Sequence, residues 1–160
     1  MPRPKIIRVL SLTSLFAIAA AILAGFSISV LADSDPWTQG QTVEPGVLAK
    51  ELKNSTSAPM VIFVGFHRLY TAGHIKGAVY HGTTSSPEGL KEFTDWVKTQ
   101  PRAANIVIYC GCCPMEHCPN VRPAFKELQS LGFHHIRVLI LPNDFATDWA
   151  GQGLSYEKGD

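Results

Sequence analysis

Apolar residues along the chain fall into short continuous runs set between amphipathic stretches. Met60-Val-Ile-Phe-Val64, Asn105-Ile-Val-Ile-Tyr109 and Ile136-Arg-Val-Leu-Ile-Leu141 are the clearest runs. Continuous rather than alternating apolarity marks a strand buried on both faces. Glu44-Pro45 opens a helix through Leu52, because proline suits a first turn and Val47 to Leu52 carries good helix formers; Asn54 to Ser57 ends it. A short helix over Phe66 to Ala72 and a brief strand at Val79-Tyr80 follow. Ser86-Pro87-Glu88 supplies a capping hydroxyl, a proline at the first helical position and an acid facing the dipole, and so starts a helix to about Lys98. Asn120 caps the next helix, with Pro123 in its first turn. Ala124, Phe125, Leu128 and Leu131 are its apolar face, and Gly132 closes it. Asp144 begins a last helix carrying Phe145 and Trp149, stopped by Gly153. Strands alternating with helices over short connections predict an α/β fold, a parallel sheet with helices on both faces.

The N-terminal pattern differs. Arg3, Lys5 and Arg8 precede an uncharged stretch from Val9 to Leu31, most apolar between Leu15 and Phe26. Basic residues followed by an apolar core and the small residue Ala32 read as a secretory signal cleaved before Asp33. The stretch is also long enough for a membrane anchor, but Ser11, Thr13, Ser14, Ser27 and Ser29 dilute it. The expected layout is a signal peptide or anchor over 1–32, a linker or arm over 33–42 with Trp37 as its one large anchor, and a single domain over 43–160. Removing the signal turns the formal charge of +1 into about −2. That balance offers nothing to nucleic acid, and contact with a membrane is expected only if the N-terminal segment stays attached. Export predicts a periplasmic or secreted protein.

Composition becomes informative at the cysteines. All four lie in the loop Cys110-Gly-Cys-Cys-Pro-Met-Glu-His-Cys118. An exported domain stapled by disulfides would spread its cysteines, so this crowding points to local chemistry. Cys110 ends a buried strand and the loop runs on to a helix start, the place where α/β sheets gather ligands. A thiolate there is favoured by helix N-terminal amides, which also attract anions. Arg122 in the first turn adds a positive charge. Gly111, Cys112, Cys113, His117, Cys118 and Asn120 complete a candidate substrate-binding or loop-supporting set around a nucleophilic Cys110. Two other chemistries remain open from these residues. Cys110-X-X-Cys113 has the spacing of a redox dithiol. Cys110, Cys113, His117 and Cys118 offer three soft ligands and an imidazole, a set whose softness suits copper(I).

Gly73-His-Ile-Lys-Gly-Ala78 resembles the Gly-His-Ile-Pro-Gly-Ala signature of rhodanese-like domains. Asn105 to Cys110 with the helix ending at Gly132-Phe133 resembles their catalytic strand, loop and helix, and Phe145, Trp149 and Gly153-Leu-Ser155 resemble their closing pattern. The resemblance spans roughly Val43 to Tyr156. It implies a rhodanese-like sheet and a sulfurtransferase without a cofactor. Cys110 would take a sulfane sulfur from an anionic donor such as thiosulfate and pass it to a thiol or cyanide. It also implies that His74 bonds backbone. The chain departs from the family pattern at several points. Phe63 and Gly65 stand where an aspartate and an arginine are common, Leu69 replaces a glutamate, and the loop is about five residues longer. Pro142-Asn-Asp144 replaces a pair of glycines.

Overall fold

The strands, in chain order, are β1 (Thr42–Val43), β2 (Met60–Phe63), β3 (His74–Ile75), β4 (Val79–Tyr80), β5 (Ile106–Tyr109), β6 (Ile136–Leu139) and β7 (Tyr156–Glu157). Five of them form a parallel sheet in the order β1-β6-β5-β2-β4, while β3 and β7 pair antiparallel by themselves. In this computed structural model residues 35–54 and 56–160 are described, and the signal or anchor expected over 1–32 lies outside them. Among the described residues, no helix is long and apolar enough to cross a membrane.

The helices are α1 (Pro45–Glu51), α2 (His67–Ala72), α3 (Pro87–Val97), α4 (Val121–Ser130) and α5 (Phe145–Asp148), with 3-10 turns at Gln39–Gln41, Met115–His117 and Ala150–Gln152. Successive strand residues point to opposite faces, so the continuous apolar runs feed two cores. Ile62, Ile106, Ile108 and Val138 pack against Phe93 and Val97 of α3 and Ala124, Phe125 and Leu128 of α4. Val61, Phe63, Val107, Tyr109 and Leu139 pack on the other side against Leu48 of α1, Tyr70 of α2 and Trp149. β5 is the middle strand, with Met60 to Phe63 on one edge and Ile136 to Val138 on the other. Its register is thereby fixed from both sides, and so is the position of Cys110 just beyond it.

Four elements differ from the sequence expectation. The stretch read as an arm ends in β1, which extends the sheet along β6; two residues are too few to show a period. Further up that arm, Trp37 meets Phe125 edge-on with ring centroids 5.5 Å apart, and Asp35 reaches Arg122 at 2.6 Å. β3 and β7 were unforeseen for the same reason of length. The last helix breaks after Asp148 into the 3-10 turn, which Gly153 ends with φ of +69°.

The glycine-histidine motif acts through backbone bonds. His74 is buried, its Nδ1 lies 2.9 Å from the Tyr70 carbonyl, and its ring stacks on Tyr70 at 3.8 Å. The Tyr109 hydroxyl accepts the buried Ile75 N–H at 2.9 Å, which ties β3 to the middle strand. Burial raises the Tyr109 pKa, outweighing that hydrogen bond. In the unfolded chain the phenol ionises near pH 10, so the stabilisation present below that pH is lost as pH rises past it. Tyr109→Phe is expected to cost roughly 1–3 kcal/mol at pH 8, because it strands the Ile75 amide. It should also make the alkaline loss of stability shallower, as read from urea unfolding at pH 8 and pH 11.

Candidate functional site

Cys110 follows directly on β5 and is 1% exposed. Its Sγ lies where Gly65 leaves room, since a Cβ on Gly65 would stand 2.8 Å from it. The glycine found where an arginine is common thus makes space for the sulfur. Gly111 then takes φ of +69°, donates no side chain to the crowded gap beside Phe145, and accepts the Phe145 N–H at 3.1 Å. That reversal brings the Cys112 Sγ to 3.1 Å from Cys110 Sγ, and Cys113 Sγ lies 3.1 Å from Cys112 Sγ. The 3-10 turn at Met115–His117 carries the chain round to Cys118, which is also buried. The sulfurs of Cys110, Cys112 and Cys118 all lie within 4.8 Å of one another. All four cysteines are free thiols.

Asn120 does something the sequence did not reveal. It was expected to cap α4, but its side chain makes no cap bond. Wholly buried, it donates from Nδ2 to Cys110 Sγ at 3.3 Å and accepts the Ser85 N–H on Oδ1 at 3.1 Å. Its carbonyl accepts the Thr84 hydroxyl at 2.6 Å. A buried amide so engaged fixes the sulfur against the Thr84-Ser85 loop. With the side chain committed there, the N-terminal amides of α4 remain free to face the cysteine loop.

Those amides address Cys118 rather than Cys110. Hydrogen bonds from the thiols of Cys110 and Cys112, and then from the N–H groups of Asn120 and Val121, outweigh burial and hold Cys118 far below the ordinary thiol range. For Cys110 the hydrogen bond with Cys112 acts downward, but the bond to Cys118, burial and the charge on Cys118 prevail, pushing it up to about 12. Cys112 is raised as well, by its bonds to Cys110 and Cys118 and by burial. The three sulfurs therefore titrate together, and the surrounding donors favour ionisation at Cys118 over Cys110 and Cys112.

Arg122 turns away from the site. Its guanidinium binds Asp35 at 2.6 Å and the carbonyls of Cys118 and Met115 at 3.1 and 3.3 Å, and lies over the Trp37 ring. It clamps the loop to the N-terminal arm, and those bonds, not an incoming anion, use its donors. The metal set read from sequence is also rearranged. His117 is exposed, Cys113 touches Cys112, and the cluster of three ligand atoms contains Cys112 in their place. Gly111's reversal is the reason, because it folds residue 112 rather than 113 back over Cys110.

A cavity of about 400 Å³ opens on Cys110, Gly111 and Cys112, walled mainly by Phe63, Leu69, Ala72, Phe145, Ala146 and Tyr156. Phe63 and Leu69, two departures from the family pattern, make its wall apolar. Among the described residues, Lys158 is its one basic lining residue and Asp144 its one acid. Lys158 lies past β7, far along the chain from the loop, and carried no motif by which the sequence could flag it.

No family model and no curated protein matches the chain. Solved structures do. The rhodanese-like domain of the Alr3790 protein from Anabaena sp. is 22% identical, with a TM-score of 0.55 over 74% of this chain and 79% of that one. The BH2092 protein from Bacillus halodurans is 17% identical, with a TM-score of 0.58 over 91% and 85%. A thiosulfate sulfurtransferase from Pseudomonas aeruginosa is 23% identical, with a TM-score of 0.54 over 79% of this chain and 20% of that longer one. At these identities the likeness establishes the fold: the chain has the rhodanese-like α/β architecture expected from its sequence motifs.

Proposed function

We propose that this rhodanese-like domain is an exported sulfurtransferase that carries sulfane sulfur on Cys110. The observation that bears most weight is the position of Cys110, at the end of the middle strand and facing a cavity. A donor enters over the apolar wall, with Lys158 as the cavity's attraction for a negative charge. The Cys110 thiol loses its proton to water in the cavity, a step that burial and the nearby Cys118 make costly. The Cys110 thiolate then attacks the outer sulfur of thiosulfate, forming an S–S bond as the sulfur–sulfur bond of the donor breaks and sulfite leaves with the electron pair. The resulting persulfide receives the Asn120 amide, and a thiol or cyanide acceptor removes the outer sulfur. Export rests on the basic and apolar pattern of residues 1–32.

Intact mass spectrometry tests this reading on the full chain, purified in mild detergent and reduced. Thiosulfate is expected to add the mass of one sulfur, mapped to Cys110, and cyanide to take it off. No adduct on the reduced, metal-free protein overturns it.

A further inference from the structure

We propose that Cys110, Cys112 and Cys118 also form a three-sulfur binding site for a soft monovalent cation, copper(I). This goes beyond sulfur transfer and does not depend on it.

The geometry fits such an ion. A metal held about 2.3 Å from each of three thiolates sets the sulfurs about 4 Å apart, and here all three lie within 4.8 Å of one another, with Cys110 and Cys112 3.1 Å apart. Each sulfur comes from a part of the chain already held in place. Cys110 follows directly on β5 and accepts the Asn120 amide, Cys112 is set by the left-handed turn at Gly111, and Cys118 closes the 3-10 turn ahead of α4 with its carbonyl gripped by Arg122. Little ordering therefore remains to be done when an ion arrives. The N–H groups that surround the sulfurs, from Asn120 and Val121 onto Cys118 and from the Asn120 side chain onto Cys110, are outer-shell donors of the kind that orient thiolate ligands. Cys110 and Cys112 line the cavity, which is the route of entry.

The donor set selects among metals. Among the described residues the cluster contains sulfur only, with no imidazole and no carboxylate. Calcium, magnesium and manganese need oxygen ligands, whereas thiolates favour copper(I) and zinc. Structural zinc closes a tetrahedron with four protein ligands. Here the fourth direction is the apolar cavity, and the nearby His117 is exposed and outside the cluster. Copper(I) is content with three sulfurs. Binding exchanges thiol protons for the cation without oxidation or reduction, so it releases protons and strengthens with pH.

The test is an anaerobic titration of the reduced full chain, in detergent, against copper(I) held by the chromogenic chelator bathocuproine disulfonate. The protein is expected to withdraw one equivalent, and X-ray absorption of the copper to show three sulfur neighbours and no nitrogen. Cys112→Ser and Cys118→Ser should each weaken competition roughly 100-fold or more, whereas Cys113→Ser and His117→Ala should compete as the wild type does. Circular dichroism confirms that each variant is folded, and the wild-type absorption result stands without them. No copper withdrawn, a nitrogen neighbour, or copper kept equally by Cys118→Ser overturns the proposal, as does preferential capture of zinc or arsenite. Sulfur uptake is read separately on metal-free protein. Loss of uptake with copper still bound sinks the transferase reading alone, and uptake without copper binding sinks this one alone.

Discussion

Cys110→Ser is expected to abolish sulfur uptake from thiosulfate, a loss of roughly a thousandfold or more in rate, as follows when the nucleophile itself is removed. A serine hydroxyl fills nearly the same space against Gly65 and Asn120, so urea unfolding should move little while the one-sulfur mass gain disappears. The neighbouring thiols differ in kind. Cys118→Ser leaves the nucleophile and removes the neighbour that raises the Cys110 pKa, so the rate near neutral pH should rise roughly tenfold. The gain should shrink as pH rises and the wild-type Cys110 ionises without help. A rate below the wild type at every pH would mean that Cys118 serves to hold the loop rather than to set the Cys110 pKa. Retained sulfur uptake by Cys110→Ser, mapped to Cys112 or Cys113, would place the carrier elsewhere in the loop. The same series separates transfer from disulfide exchange through Cys110 and Cys113. Cys110 meets Cys112, not Cys113, so Cys113→Ser should leave the Cys110 adduct in place.

The parts of this molecule that could be read from sequence are those governed by local pattern. Ile106 to Tyr109 is apolar at every position because both faces are covered, and the strand's end fixes Cys110. Ser86 caps α3 as its sequence suggests, accepting the Gly89 N–H at 3.1 Å. What stayed hidden depends on contacts between distant segments. Nothing local tells whether Asn120 caps its own helix or turns to a sulfur, since both use the same amide. The choice is made by Thr84 and Ser85, which arrive from another loop. Arg122 looked like an anion ligand for the same reason, because Asp35 and Trp37 lie more than eighty residues away in sequence. Which cysteine meets Cys110 was set by one backbone torsion at Gly111, and the spacing of two against three residues decides it only once that torsion is known.

Gly89→Ala is expected to be among the most destabilising single-atom additions in the domain, costing about 3 kcal/mol or more. A Cβ on Gly89 would stand 2.2 Å from the Thr83 carbonyl oxygen and 2.6 Å from its nitrogen. Both are backbone atoms, so no side chain can swing aside. α3 would have to lift from the 83–86 segment, which carries the Ser86 cap of that helix and the two bonds to Asn120. Phe93 and Val97, wholly buried on the same helix, would lose contact with the core as it moved. The damage should therefore reach the sulfur cluster, and protein that remains folded should take up sulfur more slowly. The contrast is Gly46→Ala in α1, where a Cβ meets nothing within 4 Å and the backbone is already helical. There the same methyl group should stabilise by up to about 1 kcal/mol, through lower freedom in the unfolded chain. Urea unfolding of the two variants side by side measures both signs. Equal stabilities would show that the approach of α3 to Thr83 is looser than these distances state, and that the Asn120 tether to Cys110 has another support.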